Sequence, residues 1–570
     1  MERLKPKLFS VMKTYTKEQC AKDVIAGVIV AIIALPLSIA LALASGVTPE
    51  KGLYTAIVAG FVISFLGGSR VQIAGPTAAF VTIIAGIVAR RGMEGLAVAT
   101  ILAGIILIIM GLLKFGRLLR FIPYTITTGF TLGIAVTIFI GQIKDFMGIT
   151  LRSKPVETME KLLACVKDFG SINIQALFIG VISLLILIFW PKINAKIPSS
   201  LIAVVVAALI VKFFKVDVNT IGSLYEISSK APVFQLPNMS FHTVRDVLPD
   251  AVTIAILAGV ESLLSCVVAD GMIGSKHRSN MELVAQGAGN ICSSLFGGIP
   301  ATGAIARTAA NVKNGGRTPI AGMIHAVTLL LILVILMPYA ALIPIPTIAA
   351  ILFMVAYNMS EWREFVHLLK VSPKSDMLVL VATFTLTVVF DLVVAIEVGI
   401  LMAAVLFMKR MADVADVQSW KYVEDDSADD DMVEDDANEN IRLKKVPRRT
   451  IVYEINGPMF FGAADKFMNI SLDNHVKVVI LRMRSVPAMD VNALHALSNV
   501  LKACKKKHIT LVLSHVQEQP LHMMQKAGFD QRVGEKNICN NIDQALERAE
   551  SILMKHAAKV NMEKEDNIIK

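Results

Sequence analysis

Apolar runs follow one another with hardly a pause from Val24 to Met408, many of them near the roughly 20 residues that cross a hydrocarbon core of about 30 Å. In lipid every backbone amide and carbonyl must find its partner within the protein, and runs of this length read as helices. The spans fall near 24–45, 50–67, 72–90, 94–114, 121–143, 173–190 and 198–214, then 250–270, 281–297, 302–312, 318–337, 343–358, 376–391 and 393–410. That is about fourteen segments in two sets of seven, with shorter ones admitted where Gly or Pro interrupts. A hydrophobic content of 55% over 570 residues exceeds what soluble cores require, and the surplus must face lipid. The expectation is an all-α polytopic transport domain over residues 24–410.

Residues 1–23 are basic and polar and lead straight into the first segment, as a retained N-terminal segment would and a cleaved leader would not. The net charge of +10 at first suggests a nucleic-acid partner. Its carriers, however, gather in short loops on one side, among them Lys114, Arg117, Lys192, Lys276, Arg278, Lys313, Arg317 and Lys374. This is the positive-inside signal, which puts the N-terminus in the cytoplasm and implies no nucleic acid. Arg90 and Arg91 are exceptions on the outer side. An even number of crossings returns the C-terminus to the cytoplasm. Two seven-segment halves must insert with opposite orientations, the inverted-repeat plan of many secondary transporters. The nearly equal spacings from Pro36 to Pro76 and from Glu261 to Pro300 echo it.

Beyond Met411 the character changes. Residues 411–446 hold an acidic run from Glu424 to Asp436 and read as a solvated linker. Short β-rich runs then alternate with amphipathic helices over 447–558, a small soluble α/β domain, and 559–570 form a polar tail. Six scattered cysteines, without a pair at metal spacing, read as packing residues. No Gly-Lys dipeptide occurs, so the phosphate loop of an ATP-driven pump is absent. Neither a nucleophile elbow nor a zinc motif points to an enzyme, and no cofactor or metal is implied.

Two segments carry the chemistry. The third opens with Ile73-Ala74-Gly75-Pro76-Thr77-Ala78-Ala79-Phe80 and the tenth with Gly297-Gly298-Ile299-Pro300-Ala301-Thr302-Gly303-Ala304-Ile305-Ala306-Arg307. Each reads as an extended stretch entering a half-helix. A helix that starts inside the membrane leaves amide N–H groups free, and these are costly unless they face protein or a watery cavity. Two such starts meeting at mid-membrane make an anion cradle, since each helix start carries about half a positive charge. The small residues Ala78, Ala79, Gly303 and Ala304 allow an anion close to the backbone, and Arg307 adds fixed positive potential. In the eighth segment Glu261 lies among apolar residues with Ser265 one turn later on the same face. An ionised carboxylate is expensive there, so protonation is expected in the transport cycle. Alternatives are a structural acid paired with backbone or with Arg307, and a sodium site built from Glu261, Ser265 and unwound carbonyls.

Gly75-Pro76, Glu261-Ser262-Leu263-Leu264-Ser265, Asp270-Gly271-Met272, His277-Arg278-Ser279-Asn280 with Glu282, Gln286-Gly287-Ala288-Gly289-Asn290 and Gly297 to Gly303 with Arg307-Thr308 together resemble the bacterial SulP-type anion transporters. The C-terminal region resembles their STAS domain, in which a phosphorylatable Ser or Thr can follow the aspartate matching Asp490; here that position is Asn492. The resemblance implies a seven-plus-seven inverted repeat with a mobile core part and a gate part, a homodimer, and a place in the bacterial inner membrane. It implies an anion shell of Leu37, Leu41, Thr77, Ala304, Ile305 and Ala306 with Arg307 nearby, and proton or sodium coupling at Glu261. The first segment reads Leu35-Pro36-Leu37 where many sulfate-type members have Gln after the proline. Bicarbonate or a small dicarboxylate therefore stands beside sulfate as a substrate. The function so implied is secondary, elevator-like anion symport or exchange; an anion channel and a nucleobase symporter are the other readings.

Overall fold

The structure, a computed structural model, describes residues 4–116, 123–153, 155, 157–194, 197–390, 392–414, 416–420, 445–460 and 475–568. The chain divides into two compact units, Met1–Ala403 and Ala404–Lys570.

The first unit is helical. Its main elements are α1 (Lys17–Ala44), α2 (Pro49–Leu66), the short strand β1 (Ala74–Gly75), α3 (Val81–Leu112), α4 (Tyr124–Met147), α5 (Ile174–Ile193), α6 (Ser199–Phe214), α7 (Phe241–Ile273) and α8 (Ser279–Leu295). They continue with β2 (Thr302–Gly303), α9 (Ile305–Lys313), α10 (Pro319–Ala340), α11 (Ile345–Met359), α12 (Trp362–Val371), α13 (Lys374–Val389) and α14 (Leu392–Val414). Among the described residues seven helices are long and apolar enough to cross a membrane: α1, α2, α4, α5, α7, α10 and the element from Ala78 to Leu112.

Two features differ from expectation, whereas residues 72–90 and 94–114, read as separate spans, are two helical stretches within α3 that meet at a kink at Gly92, where φ +67 and ψ −171 leave the helix. Glycine reaches that conformation at no steric cost. The eighth segment, expected to start near 250, begins at Phe241 because Ser240 caps it, accepting from the Thr243 amide. The amphipathic helix α12 was not anticipated; its ten residues are too few to span a bilayer.

Helices pack in two groups: α1, α2, α3, α7, α8, α9 and α10 together, and α4, α5, α6, α11 and α13 together. Small residues set the distances. A Cβ on Gly104 of α3 would run into the Gly287 carbonyl and Ile291 of α8, and one on Gly27 of α1 into the Ala321 carbonyl and Ile324 of α10. Gly129 and Gly133 of α4 do the same against Thr383 and Thr387 of α13.

The second unit holds a five-stranded sheet in the order β3 (Asp416–Trp420), β4 (Thr450–Asn456), β5 (Val478–Ser485), β6 (Thr510–Ser514) and β7 (Ile538–Cys539). β3 runs antiparallel to β4 and the remaining pairs are parallel, so the sheet is mixed. Alternate residues enter two cores: Ile451, Tyr453, Val479 and Leu481 on one face, Val452, Val478 and Ile480 on the other. Helix α15 (Val491–Lys506) covers the first face, capped by Asp490, which accepts from the Ala493 amide at 2.8 Å. Helix α17 (Ile542–Ile568), after the short α16 (Glu518–Lys526), covers the second. Two expectations change here. The stretch read as linker contributes β3, whose five residues precede the acids and occupy the open edge of β4; the acidic run itself lies outside the described residues. The stretch read as a polar tail continues α17 to Ile568, since no Gly or Pro stops it.

Candidate anion-binding site

Pro76 and Pro300 remove an amide and bias Gly75 and Ile299 toward extended backbone, so neither stretch can begin as helix. The two stretches satisfy their backbone groups on each other. β1 pairs antiparallel with β2, Ala74 opposite Gly303 and Gly75 opposite Thr302. The Ala304 amide donates to the Ile73 carbonyl at 2.9 Å, and the Ile73 amide to Thr308 Oγ1 at 3.0 Å. Thr302 Oγ1 ties the pair to α7 through the Ala258 carbonyl at 2.9 Å. Glycine on both strands leaves room for a side chain behind: a Cβ at Gly75 would strike Arg307 Nη1, and one at Gly303 would strike Gln72 Nε2. The beginnings of the third and tenth segments are thus hydrogen-bonded neighbours.

Each stretch then turns into helix. A 3-10 turn at Ala78–Phe80 runs into α3, and α9 begins at Ile305. Neither helix start is capped by a side chain. Thr77, in the first N-cap position, instead donates its hydroxyl to Glu261 Oε2 at 2.9 Å; Ala304, in the second, has nothing to offer. The first-turn amides and the positive ends of two helix dipoles are left free to act on an anion.

The expected site residues separate into two layers. Leu37, Thr77, Glu261 and Ala304 are partly accessible, and Ile305 and Ala306 are exposed. Leu41, Ala78, Gly303, Arg307 and Ser265 are buried, Arg307 at 1% exposure. Arg307 stands behind the accessible layer, with Nη2 donating to Ser38 Oγ of α1 at 3.2 Å. Ser265 lies deeper still, its hydroxyl on Thr308 Oγ1 at 3.3 Å. Glu261 and Arg307 form no ion pair among the described residues; the acid's partner is Thr77 on the opposite segment.

A buried polar network beneath the strand pair had been given no role. Glu282 of α8, fully enclosed, accepts from the amides of Gly68 and Ser69, from Ser262 Oγ and from Gln286 Nε2. Gln72 donates to Ser262 Oγ at 3.0 Å and accepts from Cys266 Sγ. Asn290 holds both the amide and the carbonyl of Ala301, and Asn311 donates to the Val71 carbonyl. The signal was legible: Glu282, Gln286 and Asn290 recur every four residues, one polar stripe on a helix among apolar segments.

The model of the sulfate permease family matches residues 20–383, and that of the STAS domain residues 441–545. YvdB of Bacillus subtilis, a candidate sulfate transporter by name, is 40% identical over 538 residues, covering 93% of this chain and 98% of its own. The bicarbonate transporter BicA of Picosynechococcus is 31% identical over 564 residues, covering 94% and 96%. The solved structure of the murine Solute Carrier 26 family member A9 superposes with a TM-score of 0.85 at 19% identity, covering 96% of this chain and 94% of that one. This last likeness is one of fold.

Proposed function

The chain belongs to the sulfate permease family, a family of membrane anion transporters with a C-terminal STAS domain, and on that premise we propose that it carries small anions of the sulfate, bicarbonate or dicarboxylate class by proton-coupled symport or exchange. One observation carries the reading: two uncapped helix starts paired through β1 and β2, with a carboxylate reaching one of them and a buried guanidinium behind the other. The anion sits on the first-turn amides between Thr77, Ala78, Gly303, Ala304, Ile305 and Ala306, with Leu37 and Leu41 as its apolar wall and Arg307 as fixed charge. Glu261 is the coupling group, its proton traded as the Thr77 contact is made and broken, with Ser265 beneath it.

The transport domain, residues 24–410, is built of fourteen segments in a seven-plus-seven inverted repeat, the third and tenth entering as half-helices. Both termini are cytoplasmic. The group holding the strand pair moves as an elevator against the group around α4, in a homodimer, with the STAS domain over 447–558. The names of the sulfate and bicarbonate relatives support the substrate class.

A second reading, sodium-coupled bicarbonate uptake with Ser265 and unwound carbonyls completing the ion's shell, is favoured by the hard oxygens of Glu261 and Thr77 meeting at 2.9 Å and by the relatives named for bicarbonate. Purified protein in liposomes decides among these. Uptake of labelled sulfate, bicarbonate and fumarate is measured under imposed proton or sodium gradients. Saturable uptake that follows the proton gradient is expected; stimulation by sodium alone selects the second reading, and unitary conductance without saturation makes the protein a channel.

A further inference from the structure

Three buried side chains near the cradle carry polar atoms without a hydrogen-bond partner among the described residues: Nε and Nη1 of Arg307, both ring nitrogens of His325, and Oγ of Ser64. Such orphans are rare, because each has given up its hydration for nothing. Here all three flank one seam. His325 is fully enclosed on α10, which packs against α1 and α2. One turn earlier, Gly322 lies so close to Ser64 Oγ that a Cβ would collide with it, and beside it comes the Ile73 side chain. His325 therefore stands on the helix face turned toward the seam where Ile73 leads into Gly75, and Gly75 lies against Arg307 Nη1. A neutral imidazole offers one acceptor and one donor. Those are what the seam lacks: Arg307 has N–H groups without an acceptor, and Ser64 has an oxygen without a donor.

We infer that His325 is a positioning residue for the anion site: through buried water its neutral ring accepts from the free N–H groups of Arg307 and donates toward Ser64, holding the guanidinium behind the cradle. Water in such a place needs two to four polar partners, and the orphaned atoms supply them. Among the described residues Ser38, through one hydroxyl, holds one nitrogen of the guanidinium and leaves Nε and Nη1 without a partner. The inference rests on the anion-carrier reading of the same site.

The test uses the full chain. Binding is read by thermal stabilisation of detergent-solubilised protein with sulfate, bicarbonate and fumarate, and carriage by uptake of the same anions into proteoliposomes. His325→Leu, which removes both ring nitrogens, is expected to weaken binding and raise KM about tenfold with a smaller change in maximal rate. His325→Gln, which keeps a donor and an acceptor, stays within about threefold of the native protein. In an Arg307→Gln background, His325→Leu adds nothing further. Equal losses in the Leu and Gln variants, or additive losses in the double variant, overturn the inference. So does a high-resolution cryo-EM map with neither contact nor bridging density between His325 and Arg307, which decides the matter even if the leucine variant does not fold. Native protein that neither binds nor carries any of the three anions overturns the carrier reading instead, and the map still judges the link.

Discussion

Glu261 is unusual less for being a membrane carboxylate than for having, among the described residues, one hydroxyl as its partner, on a segment that pairs with the other half of the chain. In the proposed coupling role it would exchange its proton at the cost of that one contact. Glu261→Gln keeps the size and the hydrogen bond but cannot titrate. It is expected to cut proton-driven uptake at least about tenfold and to flatten its rise as the external pH falls; an unaltered pH profile in liposomes would remove Glu261 from coupling. Gly75 is the second residue on which the site turns. A methyl group there meets the mobile end of Arg307 rather than backbone, so Gly75→Ala should displace the guanidinium without unfolding the protein. A rise in KM of about tenfold with a nearly unchanged melting temperature is the expected result.

At the scale of elements, the strand pair is the joint between two otherwise helical halves, and the Glu282 network is what holds it in register. Four donors converge on that enclosed carboxylate, two of them backbone amides of the loop that leads into β1. Glu282→Gln turns part of the acceptor into a donor and strands at least one amide. A loss of about 3 kcal/mol is expected, visible as a lower denaturation midpoint together with loss of anion binding. The ion pairs beside the break at Gly92 contrast with this. Arg90 and Arg91 reach Asp246 and Asp250, and both arginines keep part of their surface in solvent. Replacing both arginines by alanine is expected to cost only about 0–1 kcal/mol each, measured by the same melts.

Across the whole molecule, the two units obey different solvents. In the first the large exposed side chains are apolar, as at Phe178, Phe213 and Leu401, and the packing seams are lined by glycine and alanine, the arrangement of a protein whose outside is lipid. In the second the apolar residues are inside, on both faces of one sheet. Phe529, fully buried there, is expected to cost about 3–5 kcal/mol when cut to alanine. Hydrogen exchange at the amides of β4, β5 and β6 reads that loss directly; unchanged protection would mean the sheet does not depend on the core beneath it.

Patterns that repeat along the chain were legible in the sequence, because they answer to the solvent a residue meets: the apolar spans to lipid, the alternation in β4 and β5 to two covered faces. The breaks at Gly75-Pro76 and Gly297 to Gly303 were legible for the same reason, since proline and glycine act on the backbone locally. What those breaks bond to was not. That β1 pairs with β2, that Glu261 answers Thr77 rather than Arg307, that β3 joins the sheet and that His325 faces the same seam as Arg307 are contacts between residues far apart in the chain. Only the packed chain decides them, because a hydrogen bond depends on where two groups meet and not on how far apart they are written.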